Sequence, residues 1–207
     1  ITVEHGRIVS VETTEGSIGT RLVVNCAGSW CDRVAALVGV ELPIEIHRNP
    51  TCLFSRPPAI DDDCPILSDG VNKVYVRTVG DSIVRSAHFS WAPDLVDPDD
   101  YDETINRETL QGLRDKVDRR CAAMRRSVSA GGFSAIYDMM PDCHPIVGKV
   151  SDIDGFWCNC GWSGNGFASS PAVGRCLAAK IVGGESDIDL SEFEWPRPTG
   201  ATARPES

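Results

Sequence analysis

The chain has 207 residues, 42% of them hydrophobic, with 30 acidic against 20 basic residues and a net charge of −10. That length supports one or two domains with a true core. The negative charge repels phosphate backbones and anionic lipid, so nucleic acid is not an expected partner, and no apolar run nears the roughly 18 residues of a membrane-spanning helix.

In chain order, "ITVEHG" and "IVSVETTEG" alternate with period two and predict a β-meander that leads into a buried strand in "TRLVVNCAG". The sequence begins at Ile1 in mid-strand, without Met or a signal pattern, which reads as a fragment. "AGSWCDRVAALVGV" then switches to a helical pattern. Ser29 or Asp32 is its expected cap, Val34, Leu37 and Val38 its buried face, and Gly39 its stop.

The middle changes character. "IEIHRNPTCLFS", "NKVYVRTVG" and "DSIVRSAHFS" are β-branched strand patterns, with a hairpin corner at Gly80-Asp81. "PDLVDPDDYDE" reads as a solvated acidic loop. Ile105, Leu110, Leu113 and Val117 lie near one face of a long helix that ends in basic residues. A strand through "SVSAGGFSAIYDMM", a turn in "PDCHPIVG", a buried strand in "GFWCNCG" and a helix from "GNGFASSPAVGRCLAAKIVGG" follow; the Pro-rich tail from Asp189 is expected to fray.

The nine cysteines are scattered and odd in number, which predicts free, mostly buried thiols in a reducing, cytoplasmic compartment. Only Cys158 and Cys160 are close, and no second pair stands at ligand spacing, so no metal site is expected.

The closing run "GWSGNGFASSP" removes side chains at Gly161, Gly164 and Gly166 where a buried strand ends and a helix starts. Such a start offers unpaired N–H donors and the positive end of a dipole to an electron-rich ligand; a turn that needs glycine only for its own dihedrals is the alternative. With "VVNCAGSW" and "YDMMPDCHPIVG", it forms three stretches in an order that resembles the FAD-dependent amine and amino-acid oxidoreductases of the D-amino-acid oxidase superfamily, including sarcosine and glycine oxidases and dimethylglycine dehydrogenase.

That resemblance implies a fold of mixed α/β and α+β class: a partial, Rossmann-like FAD-binding domain with an inserted antiparallel-sheet substrate domain. The expected division is residues 1–43 and 141–190 in the FAD-binding domain, 44–140 in the substrate domain with its sheet and helix, and 191–207 as tail. It also implies a missing amino-terminal segment, because the glycine-rich βαβ motif that grips the FAD pyrophosphate is not found between Ile1 and Ser207. The implied activity is oxidation of the C–N bond of a small amine or amino acid by hydride transfer to flavin. A non-catalytic flavin-fold remnant that serves as partner or assembly subunit is the second reading. In either case the missing segment or a partner subunit is an expected partner.

For the cofactor, the resemblance implies contacts from Ala27, Gly28, Trp30, Gly161, Ser163, Gly164, Asn165, Gly166 and Phe167, with Trp162 as a further ring neighbour. Asn165 replaces the family's usual His. Attachment is expected to be non-covalent, since Ala135 stands where some relatives carry the flavin-linking Cys. Tyr137, Arg77 and Arg48 are the candidate substrate-binding residues, the arginines as bidentate carboxylate donors. Ala168 replaces a substrate-holding Lys of sarcosine oxidases, which points to a small amino acid other than sarcosine. Hydride transfer from a neutral amine needs no obligatory base, so His144 and His88 are expected as structural residues and Asp142 as a brace of its turn.

Overall fold

The amino-terminal alternation forms β1 (Thr2–Glu4), β2 (Arg7–Thr13) and β3 (Gly16–Gly19), an antiparallel meander, in the computed structural model, which describes residues 1–88, 94–150 and 153–197. The chain divides into two units, one made of Ile1–Ile46 with Tyr137–Ser207 and the other of His47–Ile136.

In the first unit, β4 (Val23–Asn25) lies parallel to β11 (Phe156–Cys160), and β10 (Ile146–Lys149) is antiparallel to β11. Val23 stands opposite Phe156 and Asn25 opposite Cys158, so two segments far apart in sequence end side by side. The apolar "GFWCNCG" run is buried at Phe156, Trp157, Cys158 and Cys160, as a strand covered on both faces requires. One core cluster gathers Ile8, Ala35, Val38, Ile146, Phe156 and Cys158; another sets Cys176 and Leu177 of α3 (Gly166–Ile181) against Val147 and Trp157. Inside α3, Pro171 cannot donate to the carbonyl of Phe167, and the Ser170 hydroxyl supplies that hydrogen bond instead at 2.9 Å.

Two expectations need correction here. The helix α1 (Cys31–Ala36) follows a 3-10 turn over Gly28–Trp30 and has Trp30 at its cap position without a side-chain cap, so neither Ser29 nor Asp32 caps it. Its buried residues are Cys31 and Ala35, with Val38 buried just beyond its end as expected, while Leu37 is 60% exposed; the 3-10 entry sets a phase that leaves Leu37 outside the buried stripe. Gly39 ends the segment with φ 76°, as expected.

The tail is also packed rather than frayed as far as residue 197. Leu190 is buried, a 3-10 turn spans Ser191–Phe193, and the Arg197 guanidinium lies 3.1 Å from the Asp142 carboxylate with both side chains over nine-tenths buried. Arg197 also donates to the carbonyls of Pro145 and His144, each at 2.8 Å.

The second unit is built on five strands in the order β6 (Leu67–Asp69), β7 (Val74–Val79), β8 (Ile83–His88), β5 (Glu45–Ser55) and β9 (Ser129–Met139). β7 and β8 form the expected hairpin, with Val79 opposite Ile83 and Gly80 at φ 60°. One face of the sheet packs on α2 (Arg107–Arg120), where Leu113 and Val117 meet Cys52, Phe54, Val74, Val76 and Val84. Asn106 caps that helix by accepting from the Thr109 N–H at 2.8 Å. Leu110 and Ile105 are only partly buried, Ile105 because it precedes the helix. No helix among the described residues is long and apolar enough to cross a membrane.

Candidate functional site

The parallel strands β4 and β11 direct both of their carboxyl ends to one side of the first unit, and each is followed by a glycine-bearing turn and a helix start. Ligands of open α/β sheets bind outside the carboxyl ends of such strands. On the β4 side, the Asn25 side chain donates to the Cys31 carbonyl at 2.7 Å and accepts from the Ala27 N–H at 3.2 Å. These bonds fold residues 26–30 back across the strand end. Gly28 takes φ 54°, and a Cβ built on it would meet nothing within 4 Å, so its surroundings are open. Ala27 is half-buried against the core, and Trp30 is 41% exposed.

On the β11 side, Asp138 organises the turn. Its carboxylate accepts from the Gly161 N–H at 2.7 Å and the Trp162 N–H at 3.3 Å, and its carbonyl accepts from the Ser163 N–H at 3.0 Å. Ser163, a non-glycine residue at φ 51°, accepts from the Met140 N–H through its hydroxyl at 3.1 Å. This left-handed backbone is strained, and the hydrogen bonds on both sides over-determine it. Sequence reasoning missed Asp138; the signal was an acid inside the otherwise apolar strand pattern "SAIYDMM".

The glycines of this turn have a closer explanation than ligand approach. A Cβ on Gly161 would lie 2.6 Å from Met140 Cγ, one on Gly164 3.1 Å from Tyr137 Cε2, and one on Gly166 3.0 Å from Trp162 Cγ. The protein's own side chains fill those spaces, and Gly161 and Gly164 also take φ of 71° and 87°. Tyr137, expected as a substrate contact, is therefore packed on this turn. Trp162 belongs to the core cluster around Trp157 and donates from Nε1 to Asn159 at 2.9 Å.

What remains available is the start of α3. Asn165 occupies the cap position without a side-chain cap bond, and its amide donates to the Ser163 carbonyl at 3.4 Å instead. The first-turn N–H groups of Gly166, Phe167 and Ala168 have no intrahelical partner by position. Phe167 is 96% exposed beside them. An uncapped helix end with an exposed aromatic and an open Gly28 fits a flat, electron-rich, partly anionic group.

Other candidates lie elsewhere. Arg48, in the second unit, pairs at 2.9 Å with Asp94 and donates to the Asp102 carbonyl at 3.0 Å, so the acidic loop expected to be solvated is tied to it. Arg77 is exposed on β7. His144 is exposed, with Nδ1 2.6 Å from the Asp142 carbonyl, and Asp142 accepts from the His144 N–H at 3.0 Å, a braced turn. The side chain of His88 lies outside the described residues.

Burial pushes the Asp138 carboxyl above the usual carboxylate range, against the lowering effect of its N–H donors. A carboxyl raised by folding stabilises the fold fully below its unfolded pKa, about 3.9, and loses that contribution as pH rises through the folded value. Asp138→Asn cannot ionise, so its stability relative to the parent chain should increase between pH 4 and pH 7. Denaturant unfolding at several pH values checks this, and a difference that stays flat or falls would refute the assignment.

Residues 1–180 match the family model described as FAD dependent oxidoreductase, DAO. Mitochondrial sarcosine dehydrogenase of Mus musculus is 27% identical over 200 residues, covering 92% of this chain and 21% of that protein. Glycine oxidase of Pseudomonas putida is 26% identical over 192 residues, covering 92% of this chain and 49% of that protein. The chain thus spans half or less of these relatives. L-proline dehydrogenase from P. horikoshii shares the fold with a TM-score of 0.82 at 22% identity, over 93% of this chain and 51% of that one.

Proposed function

This chain belongs to the FAD-dependent oxidoreductase family, and on that premise we propose that residues 26–30 and 161–168 form the ring-facing part of a flavin site in an enzyme that oxidises the C–N bond of a small amine or amino acid. The observation that carries the reading is the uncapped start of α3 beside the parallel carboxyl ends of β4 and β11. When bound, FAD supplies the two-electron acceptor for the hydride leaving the carbon next to the substrate nitrogen; the resulting imine is then hydrolysed by water.

The chain's own groups do the positioning. N–H donors of Gly166, Phe167 and Ala168, with the dipole of α3 behind them, favour negative charge at the edge of the ring, and the open space at Gly28 lets a flat group pass the end of β4. Ser163 and Asp138 hold that turn rigid. Ala135 has no nucleophile for a covalent link, which supports non-covalent attachment. Ala168 brings no cation to a substrate carboxylate, which supports a small amino acid other than sarcosine.

The grip on the adenine half of FAD would come from a glycine-rich βαβ unit, which these residues do not contain. Residues 1–207 by themselves should therefore retain no stoichiometric flavin through gel filtration, and a protein that joins them to such a unit should elute yellow and reduce an artificial acceptor when given amines or amino acids. A colourless joined protein would overturn the flavin reading and favour the assembly subunit, a remnant without its own cofactor. A yellow one that reduces no acceptor with any amine would overturn the proposed oxidation.

A further inference from the structure

The face of the five-stranded sheet that does not pack on α2 carries two adjacent guanidinium groups. Arg77 on β7 and Arg85 on β8 are directly opposite in register, so they project from the same face, and Leu53 of β5 stands opposite Arg85 on its other side. Two residues further along, on the same face, Tyr75 and Thr51 flank Ala87. Opposite residues of an antiparallel pair have Cβ atoms roughly 4.5–5.5 Å apart, and like charges in such pairs destabilise the sheet.

Neither arginine has a carboxylate partner among the described residues, although acidic residues outnumber basic ones by 30 to 20. Of the acids in the same unit, Asp94 and Asp102 pair with Arg48. Arg85 Nε is buried without a hydrogen-bond partner. The rest of its fork is held in place: Nη2 reaches only the Thr51 hydroxyl, at 3.5 Å, and the guanidinium lies 5.6 Å from the centre of the Phe133 ring. A buried, oriented and unsatisfied donor beside a second like charge is costly unless an acceptor of opposite charge completes it.

We propose that Arg85 and Arg77 form a binding site for a small dianion, with one carboxylate taken by the half-buried guanidinium of Arg85 and the second by the exposed Arg77. Arg85 is the orienting member, because its guanidinium lies over the Phe133 ring and its paired N–H donors match the two oxygens of a carboxylate. If the proposed C–N oxidation is correct, and only then, the ligand is the enzyme's substrate, and its class is an amine or amino acid that carries two acid groups.

The binding itself is tested on residues 1–207 without flavin. With nitrogen-15 labelling, the Arg85 Nε–H resonance is followed at low ionic strength while succinate, acetate or methylammonium is added. Succinate should shift it saturably, acetate should bind about tenfold or more weakly, and methylammonium should have no effect. Arg77→Gln should reduce succinate affinity to that of acetate and leave acetate binding unchanged. Arg85→Lys, which keeps the charge and loses the fork, should weaken both. No saturable response to succinate, equal affinities for succinate and acetate, or unchanged succinate affinity in Arg77→Gln would each overturn the site. Succinate binding by residues 1–207, together with a colourless protein when they are joined to a glycine-rich βαβ unit, would sink the proposed oxidation and leave this site intact; a flavin-loaded, amine-oxidising joined protein without succinate binding would do the reverse.

Discussion

Arg197→Ala should destabilise the chain by about 3–5 kcal/mol, the usual range when one member of a buried ion pair is removed. The carboxylate of Asp142 is only 7% exposed and would lose its counter-ion, while the carbonyls of Pro145 and His144 would lose their donors. For a chain of this size that corresponds to a fall in Tm of roughly 6–20 °C. Asp142→Asn combined with Arg197→Met should cost less than Arg197→Ala alone. The double variant leaves no unpaired charge, and the amide oxygen placed at position 142 can still accept from the His144 N–H. Thermal and urea unfolding of the three proteins provides the comparison. A loss below about 1 kcal/mol for Arg197→Ala, within the range of exposed pairs, would mean that the tail does not hold the turn.

Gly161→Ala should cost about 2–5 kcal/mol and, in a flavin-loaded parent, abolish retention of the cofactor. Two effects add: an L-residue at φ 71° is strained by about 1–2 kcal/mol, and the new methyl would lie 2.6 Å from Met140 Cγ. Met140 is fully buried and cannot swing away, so the clash contributes a further 1–3 kcal/mol or so of overpacking. Relief requires a shift of the turn at residues 161–165. That shift would pull the Gly161 N–H from Asp138 and move the start of α3. Gly174→Ala is the control: it lies on the same helix, and a Cβ there meets nothing within 4 Å, so it should leave stability unchanged or improve it by up to about 1 kcal/mol. Retention of flavin by Gly161→Ala at parental occupancy would show that the turn does not position the ring.

Local elements and motifs were legible in the sequence alone. Alternation in "KVYVRTV" and "SIVRSAH", a corner at Gly80-Asp81 and the apolar run in "GFWCNCG" each encode a backbone preference over a few residues, and β7, β8 and β11 formed where those patterns lie. The three motif stretches likewise carried the family, because glycine, proline and asparagine mark turns whose dihedrals few other residues accept. Whatever depends on distant partners emerged only with the folded chain. The parallel pairing of β4 with β11 joins segments more than a hundred residues apart and leaves no periodic trace in either one. The α1 stripe took in Cys31 and Ala35 and left out Leu37 because a 3-10 turn set its phase. Arg197 looked like part of a charged, frayed tail until Asp142 came within 3.1 Å. Asp138 and Arg85 were not singled out in the sequence; what sets them apart is burial and the hydrogen bonds each makes or lacks, which arise only when strand, turn and neighbouring ring are brought together.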